Sequence, residues 1–174
     1  ALDEVHSILQ RMRELAVQAA NDTNMDEVDR EAMQAEIDQL LEEITGIADR
    51  TEFNTQKLLD GSFTGKVFHI GANKDQSMTV SISGINPSDL GIDSVSLATQ
   101  TDANNAIETI NSAINTVSTQ RSKLGAIQNR LEHTIANLDN AAENLQAAES
   151  RIRDVDMAYE MMTFTKYQIL QQAS

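Results

Sequence analysis

The sequence lacks cysteine and tryptophan and has one proline, four phenylalanines and two tyrosines among 174 residues. Without cysteine, disulfide bridges, thiol catalysis and thiolate metal sites are excluded. Scarce aromatic rings and proline favour long helices packed side by side over a globule built around large side chains. Basic residues are also few, since 13 Lys and Arg stand against 27 Asp and Glu and the formal net charge is −14. A nucleic acid is therefore not expected as a partner, because its phosphates would be repelled.

Long apolar runs are absent as well. No stretch approaches the roughly 18 consecutive apolar residues of a membrane span, so membrane insertion is not expected. The first residues, ALDEVHS, have neither a basic start nor an apolar core. Secretion would therefore need a route without a cleaved signal peptide. Since the sequence has no initiator methionine and begins within a helical pattern, we expect it to be a fragment.

Apolar residues repeat at helical spacing through the first 50 residues. A first helix, roughly 1–20, has the seam Leu2, Val5, Leu9, Met12, Ala16 and Ala19. A second helix has the seam Met33, Ile37, Leu40, Ile44 and Ile47. Asn24 is its expected N-cap, and Glu27 completes a capping box. Because a short loop joins two helices with matching seams, residues 1–50 predict an antiparallel pair.

Two aliphatic residues and one arginine lie beside the first seam. The spacing places Ile8, Leu15 and Arg11 on its shoulder, on a surface that we expect to differ from the core. A planar arginine fork beside an aliphatic patch is typical of an interface hot spot. The alternative is an ordinary exposed arginine on a helix.

Residues 51–100 change in character. Six of the seven glycines and the single proline fall between Gly46 and Gly91. KVFHI (66–70) and SMTVSIS (77–83) alternate apolar and polar residues around GANKDQ, which predicts a β-hairpin with a longer loop. NPSDLG (86–91) predicts a turn.

No segment has a catalytic or metal-binding pattern. GSFTGKV (61–67) resembles a phosphate loop, but it has three residues rather than four between its glycines and Val67 after the lysine. A turn leading into the hairpin is favoured over phosphate binding. His6, His69 and His133 lie in different blocks, so surface histidines are favoured over a metal site. We therefore expect that the protein is not an enzyme and that it has no catalytic residue, cofactor or metal.

A third helix is predicted from an N-cap at Thr101 or Asp102 almost to the end of the chain. Its apolar repeat lies near 3.5 residues, which is typical of a left-handed coiled coil. It would span roughly 105 Å, whereas the first two helices reach only about 30–35 Å. Beyond that reach, the seam that we expect to need a partner helix consists of Leu131, Ile135, Leu138, Leu145, Ile152, Val155, Tyr159 and Met162.

The patterns together predict a mainly α fold, an elongated antiparallel helical bundle or coiled coil with a small β-hairpin region. Residues 1–50 supply two bundle helices, 51–100 the hairpin and turns, and 101–157 the long bundle helix, while 158–174 begin a terminal polymerisation helix.

The largely acidic third helix contains three basic residues close together, Arg121, Lys123 and Arg130. Salt bridges to the acidic flanks of the first two helices are favoured for them over an anion site.

Six segments carry a resemblance to bacterial flagellin, in flagellin's own order. They are LQRMRELAVQAAN, DRTEFNTQKLLDG, FHIGAN, RSKLGAIQNRLEHTIANL, NLQAAESRIRDVDMAYEM and QILQQAS. The resemblance covers nearly the whole chain. It implies that an N-terminal segment, absent from this sequence, forms the helix that pairs with the third helix, and that the variable outer domain is missing.

The resemblance also implies a function and partners. Flagellin is exported through the flagellar type III apparatus and polymerises into the extracellular filament, so other flagellin subunits and an export chaperone or assembly regulator are expected partners. In animals, Toll-like receptor 5 (TLR5) recognises the flagellin core. The matching positions in this sequence are Arg11 and Leu15 of the LQRxRELxVQ motif and Glu36 of QAEI, and Ile8 shares their expected face.

Three other functions fit the sequence less well than flagellin does. A hook–filament junction protein shares the terminal helices, but RTEFNTQKLLDG and NLQAAESRIRDVDMA favour flagellin. A flagellin with a metalloprotease insert would need HExxH, which the sequence lacks. A chaperone-like binding module ranks below both. We expect that this chain, without the terminal segments, cannot form filaments alone.

Overall fold

A computed structural model describes residues 1–21 and 27–172. The chain divides into two compact units, residues 1–128 and a second unit that begins at Asn129. The elements in order are α1 (Leu2–Ala19), α2 (Glu27–Arg50), β1 (Glu52–Phe53), β2 (Gln56–Lys57), β3 (Lys66–His69), β4 (Ser77–Val80), α3 (Pro87–Leu90) and α4 (Gln100–Gln172). The predicted fold class, mainly α with a small β-hairpin region, is confirmed. The capping box at Asn24 lies outside the described residues.

Helices α1 and α2 run antiparallel, as predicted. Arg30 Nε donates to the carbonyl of Ala19 at 3.3 Å, and Arg11 Nε donates to Glu36 Oε1 at 2.8 Å. The contact that lies later in α2 therefore lies earlier in α1, which is the order expected of antiparallel helices. The predicted seams are buried over most of their length, and Leu9, Met12, Ile37 and Ile44 are all 0% exposed.

The exposed surface predicted for Ile8 and Leu15 is wrong. Ile8 is 8% exposed and Leu15 is 2% exposed, so both belong to the core. The buried residues of α1 are Val5, Ile8, Leu9, Met12, Leu15, Ala16 and Ala19, which form the broad apolar stripe of a helix that faces a protein core. The predicted seam followed only one line of three- and four-residue steps and left out the two aliphatic residues beside it.

Two β-hairpins follow α2. In the first, β1 pairs with β2 across Asn54 and Thr55, whose φ angles of 50° and 62° give the left-handed turn that fits a tight hairpin. This hairpin was not predicted, because two-residue strands are too short to show alternation. The second hairpin was predicted, and β3 pairs antiparallel with β4, Phe68 opposite Met78.

One face of β4 supplies apolar side chains to the core of the first unit. Met78, Val80 and the following Ile82 are 4%, 6% and 8% exposed, whereas the whole of β3 is exposed. GSFTGKV is the turn that leads into this hairpin, as predicted. Gly65 precedes β3 with a φ of 63°, and its amide donates to Ser81 Oγ at 2.9 Å.

The segment before α4 is held by α2 and by a short helix. Where a turn was predicted, α3 forms a single helical turn with proline at its start and Gly91 at φ 70° after its end. The side chain of Gln34 in α2 bonds to the segment that precedes α4. Its oxygen accepts from Leu97 N at 2.8 Å, and its nitrogen donates to the carbonyl of Val95 at 3.2 Å. Leu97 is fully buried.

Helix α4 begins at a different cap from the one predicted. Thr99, not Thr101 or Asp102, is the N-cap: Thr99 Oγ1 accepts from Asp102 N at 3.1 Å, and its carbonyl accepts from Ala103 N at 2.9 Å. The hydroxyl also donates to the Asp102 carboxylate at 2.7 Å. Asp102 therefore lies in the first turn, where its negative charge interacts favourably with the helix dipole.

The first section of α4 belongs to the core of the first unit. Its buried residues are Ala103, Ala106, Ile110, Ala113, Val117 and Gln120. Arg121 forms an ion pair with Asp3 of α1, which confirms the predicted salt bridge at this position. The helix continues unbroken through 157 and 158, and the functional boundary predicted there stays a prediction. Of the helices that the structure describes, none is long and apolar enough to cross a membrane.

Candidate functional site

Arg11 and Glu36 form an exposed ion pair that joins α1 to α2. Their atoms Nε and Oε1 lie 2.8 Å apart, and Arg11 Nη1 also donates to Glu14 Oε2 at 3.4 Å. The side chains of Arg11 and Glu36 are 52% and 42% exposed. Two residues predicted for the same interface thus lie side by side, held by α1 and α2 at a fixed separation.

The ion pair stabilises the charged form of Arg11. The hydrogen bond to Glu36 and then the negative charge of Glu36 raise the pKa of the Arg11 guanidinium above its ordinary value. The pair contributes little to stability, since both side chains are exposed to water. Its effect is to orient a planar donor group on the surface of α1, which is a suitable contact for a partner with carboxylate or carbonyl groups.

Ile8 and Leu15 do not extend the exposed surface around Arg11. Because both are buried, they offer little contact area to a partner. Of the four residues predicted for this interface, Arg11 and Glu36 are therefore open to a partner, and Ile8 and Leu15 belong to the core.

The second unit presents a long apolar face. Of the predicted seam, Leu131 is half-buried and the other seven residues are exposed, from 40% at Leu138 to 71% at Leu145: Ile135, Leu138, Leu145, Ile152, Val155, Tyr159 and Met162. We call this set, with Leu131, the partner-helix seam. Within residues 129–172 no side chain is buried.

The apolar face continues beyond the predicted seam. Ile169 lies seven residues after Met162, as Met162 does after Val155, and it is 61% exposed. The spacing of seven was present in the sequence and could have identified it. Further exposed apolar residues of this region are Met157, Met161, Phe164, Tyr167 and Leu170.

The end of this face contains a shallow apolar depression. It is lined by Ala158, Met161, Met162, Thr165, Lys166, Ile169 and Leu170. These residues recur at intervals of three and four, so they belong to neighbouring turns of one side of the helix. Such a surface accepts the apolar stripe of another helix.

The histidines do not converge. Among residues 1–21 and 27–172, no group of three His, Asp or Glu side chains is placed to hold a metal ion. His6 contacts Gln10 at 3.1 Å within α1, and His69 ends β3. The arrangement of the described residues instead favours association, through an oriented ion pair in the first unit and an apolar helix face in the second.

Family models match both ends of the chain. Residues 1–64 match the bacterial flagellin N-terminal helical region, and residues 107–174 match the bacterial flagellin C-terminal helical region. The two matches include the Arg11–Glu36 pair and the whole partner-helix seam.

Individual proteins give the same family. A flagellin of Halalkalibacterium halodurans is 54% identical over all of this chain, which spans 64% of that protein. A flagellin of Bacillus subtilis is 48% identical over all of the chain, which spans 68% of that protein. The crystal structure of Bacillus cereus flagellin has a similar fold, with a TM-score of 0.70 and 30% sequence identity. The match covers 78% of each of the two chains.

Proposed function

Since the chain belongs to the bacterial flagellin family, a family of structural filament subunits, we propose that it is a structural subunit of the extracellular flagellar filament that associates through its partner-helix seam. Its partners are other flagellin subunits, and its role in motility is mechanical and not catalytic. The observation that carries this proposal is the exposed apolar face of residues 131–162. The relatives are named flagellin, so a junction protein is not favoured.

The energetics of the seam support association. An isoleucine or leucine gains roughly 1.5–3 kcal/mol when it is fully buried. Leu145 and Ile152 are 71% and 66% exposed, so most of this gain is still open to them in the isolated chain. Because the seam residues recur at steps of three, four and seven positions, which is typical of a coiled coil, the matching surface is the apolar stripe of another helix.

We propose a second occupant of the same seam before assembly. A face of this size would promote aggregation in an unassembled subunit. An export chaperone or assembly regulator that covers residues 131–162 would prevent this, and it would leave when the filament helices take its place. Export through a type III route fits the same scheme.

A charge placed in the seam tests the association. In Ile152→Asp a carboxylate replaces an apolar side chain at the centre of the face, and we expect at least about a tenfold weaker association, because burying an unpaired charge is costly. Ser150→Asp adds the same charge on the opposite side of the helix and should have little effect. Sedimentation velocity over a range of concentrations measures both. Equal association of the two variants would contradict the proposal.

We further propose that host TLR5 binds the α1 surface that carries the Arg11–Glu36 pair. The oriented guanidinium supplies donors for the receptor, Glu36 fixes its position, and the buried Ile8 and Leu15 hold α1 in the core. In an assembled filament the same surface would contact a neighbouring subunit, so the receptor would bind free subunits.

Removal of the guanidinium tests the receptor site. Arg11→Ala should reduce receptor signalling by at least about tenfold, as expected for an interface hot spot. Arg13→Ala is the matched control, because it removes an exposed cation two residues away on the same helix. Helical content measured by circular dichroism should be the same in all three chains. A full response from Arg11→Ala would contradict the site.

A further inference from the structure

We propose that Met157, Met161 and Met162 form an oxidation site for oxidants of the peroxide class, at which sulfoxide formation turns the apolar face of the second unit polar and leaves the folded first unit intact. The consequence for association rests on the proposed function, because this face is the one that pairs with partner helices. The oxidation itself does not depend on that function.

The methionines divide sharply by exposure. Six of the seven lie in the described residues, and Met25 lies outside them. Three are buried in the first unit and three are exposed in the second: Met12 0%, Met33 8%, Met78 4%, Met157 58%, Met161 58% and Met162 66%. Susceptibility of a thioether to oxidation follows its exposure, so the second group should react first.

Two of the three exposed methionines, Met161 and Met162, lie where a polar group would matter. Met162 is a member of the partner-helix seam, and Met161 and Met162 both line the apolar depression with Ile169 and Leu170. A sulfoxide at these positions places a strong hydrogen-bond acceptor in a surface that would become buried. Such an acceptor is costly to bury unless the partner offers a donor.

The reaction is balanced with hydrogen peroxide as the oxidant. The thioether sulfur attacks one peroxide oxygen, the O–O bond breaks and an S–O bond forms. The sulfur loses two electrons, and the other oxygen leaves as water with the two protons. The chain has no cysteine, so no thiol competes for the oxidant.

Peptide masses test the site directly. Trypsin releases residues 154–166, which contain all three exposed methionines, and residues 31–50, which contain Met33 alone. With hydrogen peroxide, the peptide 154–166 should gain up to three oxygen atoms at least about ten times faster than the peptide 31–50 gains one. The thermal transition of the first unit should not change during this phase. Equal rates, or loss of that transition together with the first oxygen, would overturn the proposal.

A triple variant tests the consequence. In Met157→Leu, Met161→Leu and Met162→Leu combined, the face stays apolar but cannot form sulfoxide. Sedimentation velocity compares each chain with its own untreated sample: the natural chain should lose association after peroxide and the triple variant should keep its own. An equal loss in both would overturn the inference. If the untreated natural chain does not associate, the proposed function fails, whereas the peptide masses still decide the oxidation site.

Discussion

The two sections of α4 have a similar spacing of apolar residues but different surroundings. In residues 100–128 the apolar positions are covered, and Ile110 and Val117 are 0% exposed. In residues 129–172 they are open to water, and Leu145 and Ile152 are 71% and 66% exposed. The same three- and four-residue spacing runs through both. Apolar periodicity therefore predicts which face of a helix needs a partner, but it does not show whether that partner belongs to the same chain.

The two sections also differ in the reach of their polar contacts. In the first section Arg121 pairs with Asp3, more than a hundred positions away in the chain. In the second, Thr134, Asn144 and Thr163 each donate to the carbonyl four residues earlier. Contacts within one turn stabilise a helix locally but do not cover its apolar side. The second section is therefore a helix with an open surface, which is suited to association.

The largest expected difference between the two sections is in the effect of removing an aliphatic side chain. Ile110→Ala should lower the unfolding free energy of the first unit by about 2–5 kcal/mol, because it leaves a cavity in a packed core. Ile152→Ala removes the same atoms from an exposed position and should change that free energy by less than about 0.5 kcal/mol. Urea unfolding followed by circular dichroism measures both. Equal losses would show that Ile152 is buried in the isolated chain.

The N-cap of α4 gives a smaller effect, confined to the first section. Thr99→Ala removes the hydroxyl that accepts from Asp102 N and should cost about 1 kcal/mol of unfolding free energy. Thr101→Ala, at a position that the sequence made equally plausible, lies inside the helix and should cost less. The same unfolding experiment ranks the two. A larger loss from Thr101→Ala would contradict the observed cap.

The smallest effect concerns one turn of the first unit. Hydrogen bonds from the hydroxyl and then the amide of Ser62 lower the pKa of the Asp60 carboxyl. The ionised form is thus favoured in the folded state, so this contact stabilises the fold above the unfolded pKa and is lost as the pH falls through the lower folded pKa. Ser62→Ala should shift the pKa of Asp60 upward in an NMR titration. No shift would contradict the hydrogen-bond assignment.

Much of the fold was predictable because its elements have clear local signals. Helical spacing gave α1, α2 and α4, and alternation gave β3 and β4. Ile8 and Leu15 were misplaced because the spacing of the apolar residues in a helix does not fix how wide a stripe is buried. Thr99 was missed because Thr99, Thr101 and Asp102 are all residue types that cap helices, and the sequence alone does not show at which of them the helix begins.

The candidate site was predictable in part for the same reason. The partner-helix seam was predicted from a comparison of helix lengths, and all of its residues except Leu131 are exposed. That a partner helix covers them stays a prediction. The contact between Arg11 and Glu36 could not be read from either helix, since it depends on the register in which α1 and α2 pack. That register is set by the shapes of core side chains such as Met12 and Ile37, which a pattern of apolar positions does not specify.

Amide hydrogen exchange of the isolated chain at low concentration tests the central claim most directly, namely that the seam is open to water when the chain is alone. Amides of residues 103–120 should exchange at least about a thousandfold more slowly than those of residues 131–162, because only the first group is covered by a packed core. Comparable protection in the two groups at the same low concentration would contradict the account, since the seam would then have a partner within its own chain.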